Sequence, residues 1–215
     1  MPAKNIVKIY KGNRYYHIYN RGVGKQQIFT DLKDYKMFLF YLKLYLSPSD
    51  LQGPTLKVSP SRRLNNFFDQ IKLAAYCLMP NHYHLLLHQT EKTLIRDFMH
   101  SMGTKYSLYF NTRYKRRGPL FEGNYKAVLV DSNEQLVYLT KYIHRNPENI
   151  LPSRLDLEGY QYSSYANYLG FTNQTWLKTQ DVLSIYQEEY KQLSYKDFVE
   201  KQEEDLKIIS NYMLD

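Results

Sequence analysis

Residues 71–89 read IKLAAYCLMPNHYHLLLHQ: an apolar run from Ile71 to Met79, the pair Pro80-Asn81, and a second run from His82 to Gln89. Both runs have strand length, and the pair between them is made of turn formers, so the stretch predicts a β-hairpin. Upstream, Tyr15 to Asn20 alternates rings with polar residues and stops at Arg21-Gly22, which reads as a first strand. Asp31 then caps a helix through Leu46, with Met37, Phe38, Tyr41, Leu42 and Tyr45 at helical spacing. Residues 47–66 carry three Pro, Gly53 and several Ser, and read as a loop. Downstream, Leu94 to about Arg113 forms a long helical stretch that ends in the basic turn Lys115-Arg116-Arg117-Gly118-Pro119. Tyr125 to Val130 reads as a fourth strand. A second capped helix starts after Asp131-Ser132, with Glu134 and Gln135 in its first turn, and runs to the stop at Asn146-Pro147.

The order strand, helix, strand, strand, helix, strand, helix predicts an α+β chain: a ferredoxin-like split βαβ with a four-stranded antiparallel sheet. Its helices are expected on one face, leaving the other face open to a ligand. Residues 10–150 form the expected central domain, and residues 151–215 a mostly helical C-terminal extension that includes the Tyr/Ser-rich segment Tyr160 to Tyr168.

The 215 residues carry a net charge of +8, are 43% apolar, and contain 23 Tyr against 10 Phe and one Trp. That apolar content fills a core at this length and excludes a disordered tail or a disulfide-stapled miniprotein. The charge is unevenly placed: residues 181–215 sum to −5, so residues 1–180 hold +13. Basic charge with abundant phenols suits nucleic acid, which offers phosphates to cations and flat bases to rings. Cys77 is the only cysteine, which excludes an intramolecular disulfide and a cysteine-based zinc site. With no apolar leader or spanning run, the expectation is a cytoplasmic chain without membrane contact. Gly22-Val23-Gly24-Lys25 superficially suggests a phosphate loop, but Gln26 stands where a magnesium-binding Ser or Thr belongs, so no nucleotide cofactor is expected.

His82-Tyr83-His84 lies on the second strand of the hairpin. Alternation puts both imidazoles on one face, close enough to share a metal, and sends Tyr83 to the other with Leu85 and Leu87. His88 shares the histidine face further along. On the last helix of the domain, Leu136, Leu139 and Ile143 make the apolar stripe, while Tyr142 and Asn146 sit one turn apart on its flank. Two imidazoles and one amide oxygen make a half-filled, oxygen-tolerant site suited to Mg²⁺ or Mn²⁺ rather than closed zinc. A tyrosine beside it is a candidate nucleophile. His144 falls on a different side of the helix and reads as surface or structural. From residue 98 to 121 there is no acidic residue, yet Lys105, Arg113, Lys115, Arg116 and Arg117 are interleaved with Tyr106, Tyr109 and Tyr114. This predicts a phosphate-tracking surface, extended by Arg14, Arg21 and Lys25.

Three ordered segments carry a family resemblance: Leu78 to His84, Arg117-Gly118-Pro119-Leu120-Phe121-Glu122-Gly123, and Tyr142-Ile143-His144-Arg145-Asn146-Pro147. Together they closely resemble the single-tyrosine transposases of the His-hydrophobic-His superfamily, and among these the REP-associated tyrosine transposases. The resemblance spans about residues 14–170, and Tyr160 to Gly170 is similar to the family's Tyr-Ser-Ser-Tyr segment. It implies a divalent metal held by His82, His84 and Asn146, and Tyr142 as the nucleophile. Tyr83 is an amphipathic version of the hydrophobic position between the histidines, and Glu122 replaces a Gln common in relatives.

The implied activity is a metal-dependent single-strand DNA endonuclease and strand transferase working through a 5′-phosphotyrosine, on single-stranded or hairpin DNA, and compatible with a homodimer. Because one phosphodiester is exchanged for another, no ATP is needed. The competing readings are a non-catalytic DNA- or RNA-binding module of ferredoxin-like fold, whose exposed rings stack bases, and a metal hydrolase that uses water.

Overall fold

The computed structural model describes residues 8–48, 66–152, 154–190 and 193–201. The elements are β1 (Arg14–Arg21), α1 (Leu32–Leu46), β2 (Ile71–Met79), β3 (His82–Gln89), α2 (Leu94–Arg113), β4 (Lys126–Leu129), α3 (Asn133–Arg145), α4 (Tyr165–Tyr168), α5 (Gln180–Glu189) and α6 (Tyr195–Glu200). Of the expected 47–66 loop, residues 49–65 lie outside the described residues, as do residues 202–215. The sheet order is β2-β3-β1-β4 with every neighbouring pair antiparallel. β1 and β2 therefore run parallel with β3 between them, which is the split βαβ arrangement.

Local chemistry sets the helix starts. The Asp31 carboxylate accepts from the backbone N–H of Lys33 and Asp34, and the Ser132 hydroxyl accepts from Gln135 N. The Gln135 side chain reaches back to Asp131 N, closing a reciprocal cap one residue wider than the usual box. In the hairpin, Leu73 pairs with Leu87 but Ala75 pairs with Leu86, so Ala74 is a one-residue bulge. The bulge shifts the alternation, so that Leu73, Tyr76 and Leu78 share one face.

That face packs against both crossover helices. Ile18, Tyr83, Leu85 and Leu87 meet Phe38 and Leu42 of α1 and Phe98, Met102 and Tyr106 of α2. The other face is not open as expected: α3 and the C-terminal helices cover much of it. Ala74, Ala75, Cys77 and Leu86 of the sheet bury Leu136, Leu139 and Ile143 of α3, together with Tyr165, Tyr168, Tyr186, Tyr195 and Phe198. The small side chains of β2 leave room for those rings, and α3 is too apolar along its stripe to stand in water. The extension also closes the sheet edge. Leu78 N donates to Tyr162 O, Ser164 N donates to Tyr76 O, and Cys77 bridges to Ser163, so the outer groups of β2 are paired instead of exposed.

Buried and half-buried phenols satisfy backbone carbonyls that the sheet does not: Tyr106 donates to Ile28 O, Tyr160 to Leu78 O, Tyr168 to Ala74 O and Tyr186 to Leu193 O. His144 is fully buried between α3 and the extension, with Nδ1 2.9 Å from Tyr195 Oη and Nε2 2.8 Å from Ser164 Oγ.

Two outcomes follow from this packing. Phe198→Ala is expected to destabilise the chain by about 3–5 kcal/mol, against less than about 0.5 kcal/mol for exposed Leu108→Ala, read from urea unfolding. A Phe198→Ala chain of unchanged stability would show the extension to be an appendage. Burial holds the pKa of His144 at about 3, so the native imidazole stays neutral where the unfolded one, near 6.5, takes up a proton. Stability contributed by neutral His144 is therefore lost as pH falls from about 6.5 towards about 3. His144→Asn should be less stable at pH 7.5 yet show a shallower fall of the urea midpoint between pH 7 and 5; an equally steep fall assigns the acid limb to other groups.

Candidate active site

The β1–β3 register brings the histidine face together. Tyr19 pairs with His84, Arg21 with His82 and His17 with Leu86, so the rings at 17, 19, 82 and 84 share one patch. His82 and His84 lie with ring centroids 5.1 Å apart, on the same side of β3. The C-terminal end of α3 sits beside them. The half-buried Tyr142 ring stands edge-on to His84 at 5.4 Å and edge-on to His17 at 6.0 Å. One turn later, Asn146 Oδ1 lies 3.4 Å from His82 Nε2.

The amide partners fix which atoms face the site. Asn81 donates its Nδ2 to Lys25 O and offers Oδ1 to His82 Nδ1 at 2.7 Å, so Nδ1 of His82 carries the hydrogen. Asn146 donates its Nδ2 to Tyr142 O at 2.9 Å, which turns Oδ1 towards His82. Burial lowers the pKa of His82, favouring the neutral ring, and a neutral ring with its hydrogen on Nδ1 has a bare lone pair on Nε2. Two acceptors therefore face each other across 3.4 Å. His84 is fully buried, and burial together with His17 and His82 drives its pKa well below the ordinary value. Its Nδ1 is 2.8 Å from His17 Nε2, and its own Nε2 has no hydrogen-bond partner.

An orphaned ring nitrogen beside two opposed acceptors fits a cation. The 3.4 Å separation is near the ligand-to-ligand edge of about 3 Å that 2.0–2.1 Å octahedral bonds produce. Among the described residues no group of three His, Cys, Asp or Glu side chains is placed to hold a metal ion; the donors that this patch offers are two imidazoles and an amide oxygen. That set leaves coordination positions for water or phosphate.

Residues that the sequence pattern did not single out complete the patch. His17 stacks on His84 and on Tyr19, and the Lys126 ammonium lies 5.6 Å over the Tyr19 ring, bringing positive charge to the same face. Tyr15, His17 and Tyr19 already alternate onto one side of β1, but only the register shows that this side meets His84. Tyr83 is buried on the opposite face against Phe38 and Phe121. His88 lies outside the patch, hydrogen-bonded to Asn13 and packed on Tyr15.

The expected cationic surface is divided. Arg21 pairs opposite His82, and its guanidinium grips Glu122 through Nε and Nη2. Arg14 is exposed at the other end of the eight-residue strand, about 23 Å away at 3.3 Å per residue. Lys115 and Arg117 are exposed, Lys105 is half-buried on α2, and Arg116 folds back onto Asn111 Oδ1 and Pro119 O. Arg113 is engaged by Asp31 and the buried Asp34, and its guanidinium holds the Asp31 carboxyl at about 2. Tyr109 and Tyr114 donate to the same Asp34 carboxylate. The acid-free stretch is thus compensated by α1 across the fold. The turn itself returns to the histidine end of β1, where Val23 N donates to Leu120 O and Glu122 N donates to Arg21 O.

No helix among the described residues is long and apolar enough to cross a membrane. No curated protein matches the chain. A solved structure described as the REP-associated tyrosine transposase bound to a REP hairpin superposes with a TM-score of 0.53 at 11% identity, covering 82% of this chain and 98% of that one, and so shares the fold. A candidate transposase from Deinococcus radiodurans aligns at 16% identity and a TM-score of 0.38, over 67% of this chain and 97% of its own, too loosely to add to the fold argument. Residues 56–146, which include the hairpin, the basic turn and α3 as far as Asn146, match the family model described as IS200-like transposase. Over that segment the chain is similar to the IS200-like transposases.

Proposed function

We propose that this chain is a transposase that cuts and rejoins single-stranded DNA through a covalent phosphotyrosine, with Tyr142 as nucleophile and His82, His84 and Asn146 as the ligands of a divalent metal. The observation that carries the reading is the pair of opposed acceptors, His82 Nε2 and Asn146 Oδ1, beside the unpartnered His84 Nε2 and within one helical turn of Tyr142. A divalent cation, Mg²⁺ or Mn²⁺, would polarise the scissile phosphate and offset charge gathering on its oxygens. Tyr142 lies edge-on to the imidazoles, at the C-terminal end of a helix pinned to the sheet. Its phenol oxygen attacks phosphorus, the O–P bond to the tyrosine forms, and the bond to the 3′-oxygen breaks. The phenol loses a proton and the departing 3′-oxygen gains one, so the step is balanced without water. Returning the 3′-hydroxyl reverses the exchange and restores the strand.

The surroundings suit an anionic strand. Lys126 brings a cation to the histidine face, and exposed Lys115 and Arg117 lie on the turn that returns to the end of β1. The solved relative in fold is described with a REP hairpin bound, which supports hairpin DNA as the substrate here. Residues 10–150 would hold the whole reacting set, while residues 151–215 supply the cover of the α3 face. The reading is equally compatible with a monomer or a homodimer.

The deciding experiment incubates the full chain with labelled single-stranded hairpin DNA and Mn²⁺ and looks for an adduct that survives denaturing electrophoresis. The wild type is expected to form it; Tyr142→Phe is expected to bind DNA but form none, and an adduct in that variant eliminates Tyr142 as nucleophile. Cleavage with no adduct favours a water-using hydrolase, and binding with no cleavage favours a recognition module. Replacing Lys115 and Arg117 by Gln should lower the slope of log affinity against log salt by about 0.7 for each single-strand phosphate that is no longer neutralised. Arg113→Gln should instead lower the thermal midpoint and leave that slope nearly unchanged, because its charge serves Asp31 and Asp34. A slope unchanged by the Lys115 and Arg117 replacements removes the turn from the DNA path.

A further inference from the structure

His17 sits in the middle of β1 with no exposed surface, its ring 5.0 Å from that of His84 and nearly parallel to it, at 14°. His17 Nε2 and His84 Nδ1 are 2.8 Å apart, a contact that holds one hydrogen between two ring nitrogens. The hydrogen can belong to either ring, and the choice decides what His84 presents to the site. If His17 donates, neutral His84 must carry its own hydrogen on Nε2, and that nitrogen then has no lone pair for an ion. If His84 donates from Nδ1, its Nε2 is a bare lone pair on the side of His82 Nε2 and Asn146 Oδ1. Each arrangement buries one outer hydrogen, on His84 Nε2 in the first and on His17 Nδ1 in the second, so the pair itself does not choose between them; a cation ligated by His84 Nε2 selects the second.

We propose that His17 is a positioning residue for the metal site: it accepts the Nδ1–H of His84 and keeps His84 in the tautomer whose Nε2 can ligate. The proposal rests on the divalent-metal reading above and adds a residue to it. Ligating histidines are usually oriented through their second ring nitrogen by a carboxylate or a carbonyl. Here a neutral imidazole does that work, itself held by stacking on Tyr19 at 4.9 Å and by the edge of Tyr142 at 6.0 Å. The same ring thus touches both the ligand and the proposed nucleophile, and fixes their relative placement.

The test uses the full chain labelled with ¹⁵N-histidine, in which two-bond ¹H–¹⁵N correlations report the tautomer of each ring, with Mg²⁺ present. In parallel, Mn²⁺ affinity without DNA is read from the electron paramagnetic resonance signal of the free ion. The wild type should show His84 protonated on Nδ1. His17→Phe keeps a ring but removes the acceptor, and should weaken Mn²⁺ binding by about 10–100-fold. His17→Gln, whose amide oxygen can accept, should recover most of that affinity. Wild-type His84 protonated on Nε2 with Mg²⁺ present, or wild-type Mn²⁺ affinity in His17→Phe, overturns the proposal. The wild-type spectrum decides even where the Phe variant fails to fold. His84→Ala separates the two levels: undiminished Mn²⁺ binding there removes the metal reading itself, whereas abolished binding there with intact binding in His17→Phe removes only the role of His17.

Discussion

The pairing register of β1 on β3 is the constraint from which the site is built. With Tyr19 opposite His84 and Arg21 opposite His82, the odd-numbered residues of β1 and the even-numbered residues of β3 share a face. A slip of one residue would turn Tyr16 and Ile18 towards the histidines and drive His17 into the apolar layer under α1 and α2. The register is held by burial on that layer, where Ile18, Leu85 and Leu87 have no exposed surface. The hydrophobic effect thus fixes a polar geometry that no single polar contact could fix, since a net hydrogen bond contributes only about 1 kcal/mol.

The tyrosine excess has a structural explanation of the same kind. A phenylalanine would fill the same volume, but the phenols at 106, 160, 168 and 186 each end on a backbone carbonyl. Asp34 is handled similarly: a carboxylate with no exposed surface is surrounded by Arg113, two phenols and Thr30 N. A buried carboxyl group is costly to desolvate unless directed donors meet its oxygens, as they do here. The long basic helix is thereby tied to α1, and part of its cationic charge is spent on the fold.

The C-terminal segment contributes in the same way. Its rings occupy the sheet face that a ferredoxin-like arrangement leaves open, and residues 162–164 pair with the edge of β2. α3 is therefore clamped between the sheet and α5 and α6, and Tyr142 and Asn146 are carried on a supported element. A nucleophile, as proposed for Tyr142, needs placement within a fraction of an ångström, which favours a packed helix over a free one.

The strands, the helices and their starts were legible from local pattern: alternation in Tyr15 to Asn20, the paired runs around Pro80-Asn81, and the caps at Asp31 and Ser132. The shared face of His82 and His84 was legible too, because alternation along one strand needs no partner. The Ala74 bulge was not, since it appears only when β2 is aligned with β3. Neither was the covered face, because the Tyr-rich extension has no period that points to a particular surface. Arg113 looked like a phosphate contact because its acidic partners stand about eighty positions away in sequence. His17 was one ring among several in an alternating strand until the register placed it on His84. Neighbours along the chain set the elements and the chemistry carried on each of them, whereas which charges are spent, which faces are covered and which imidazole lies against which depend on distances between residues far apart in sequence.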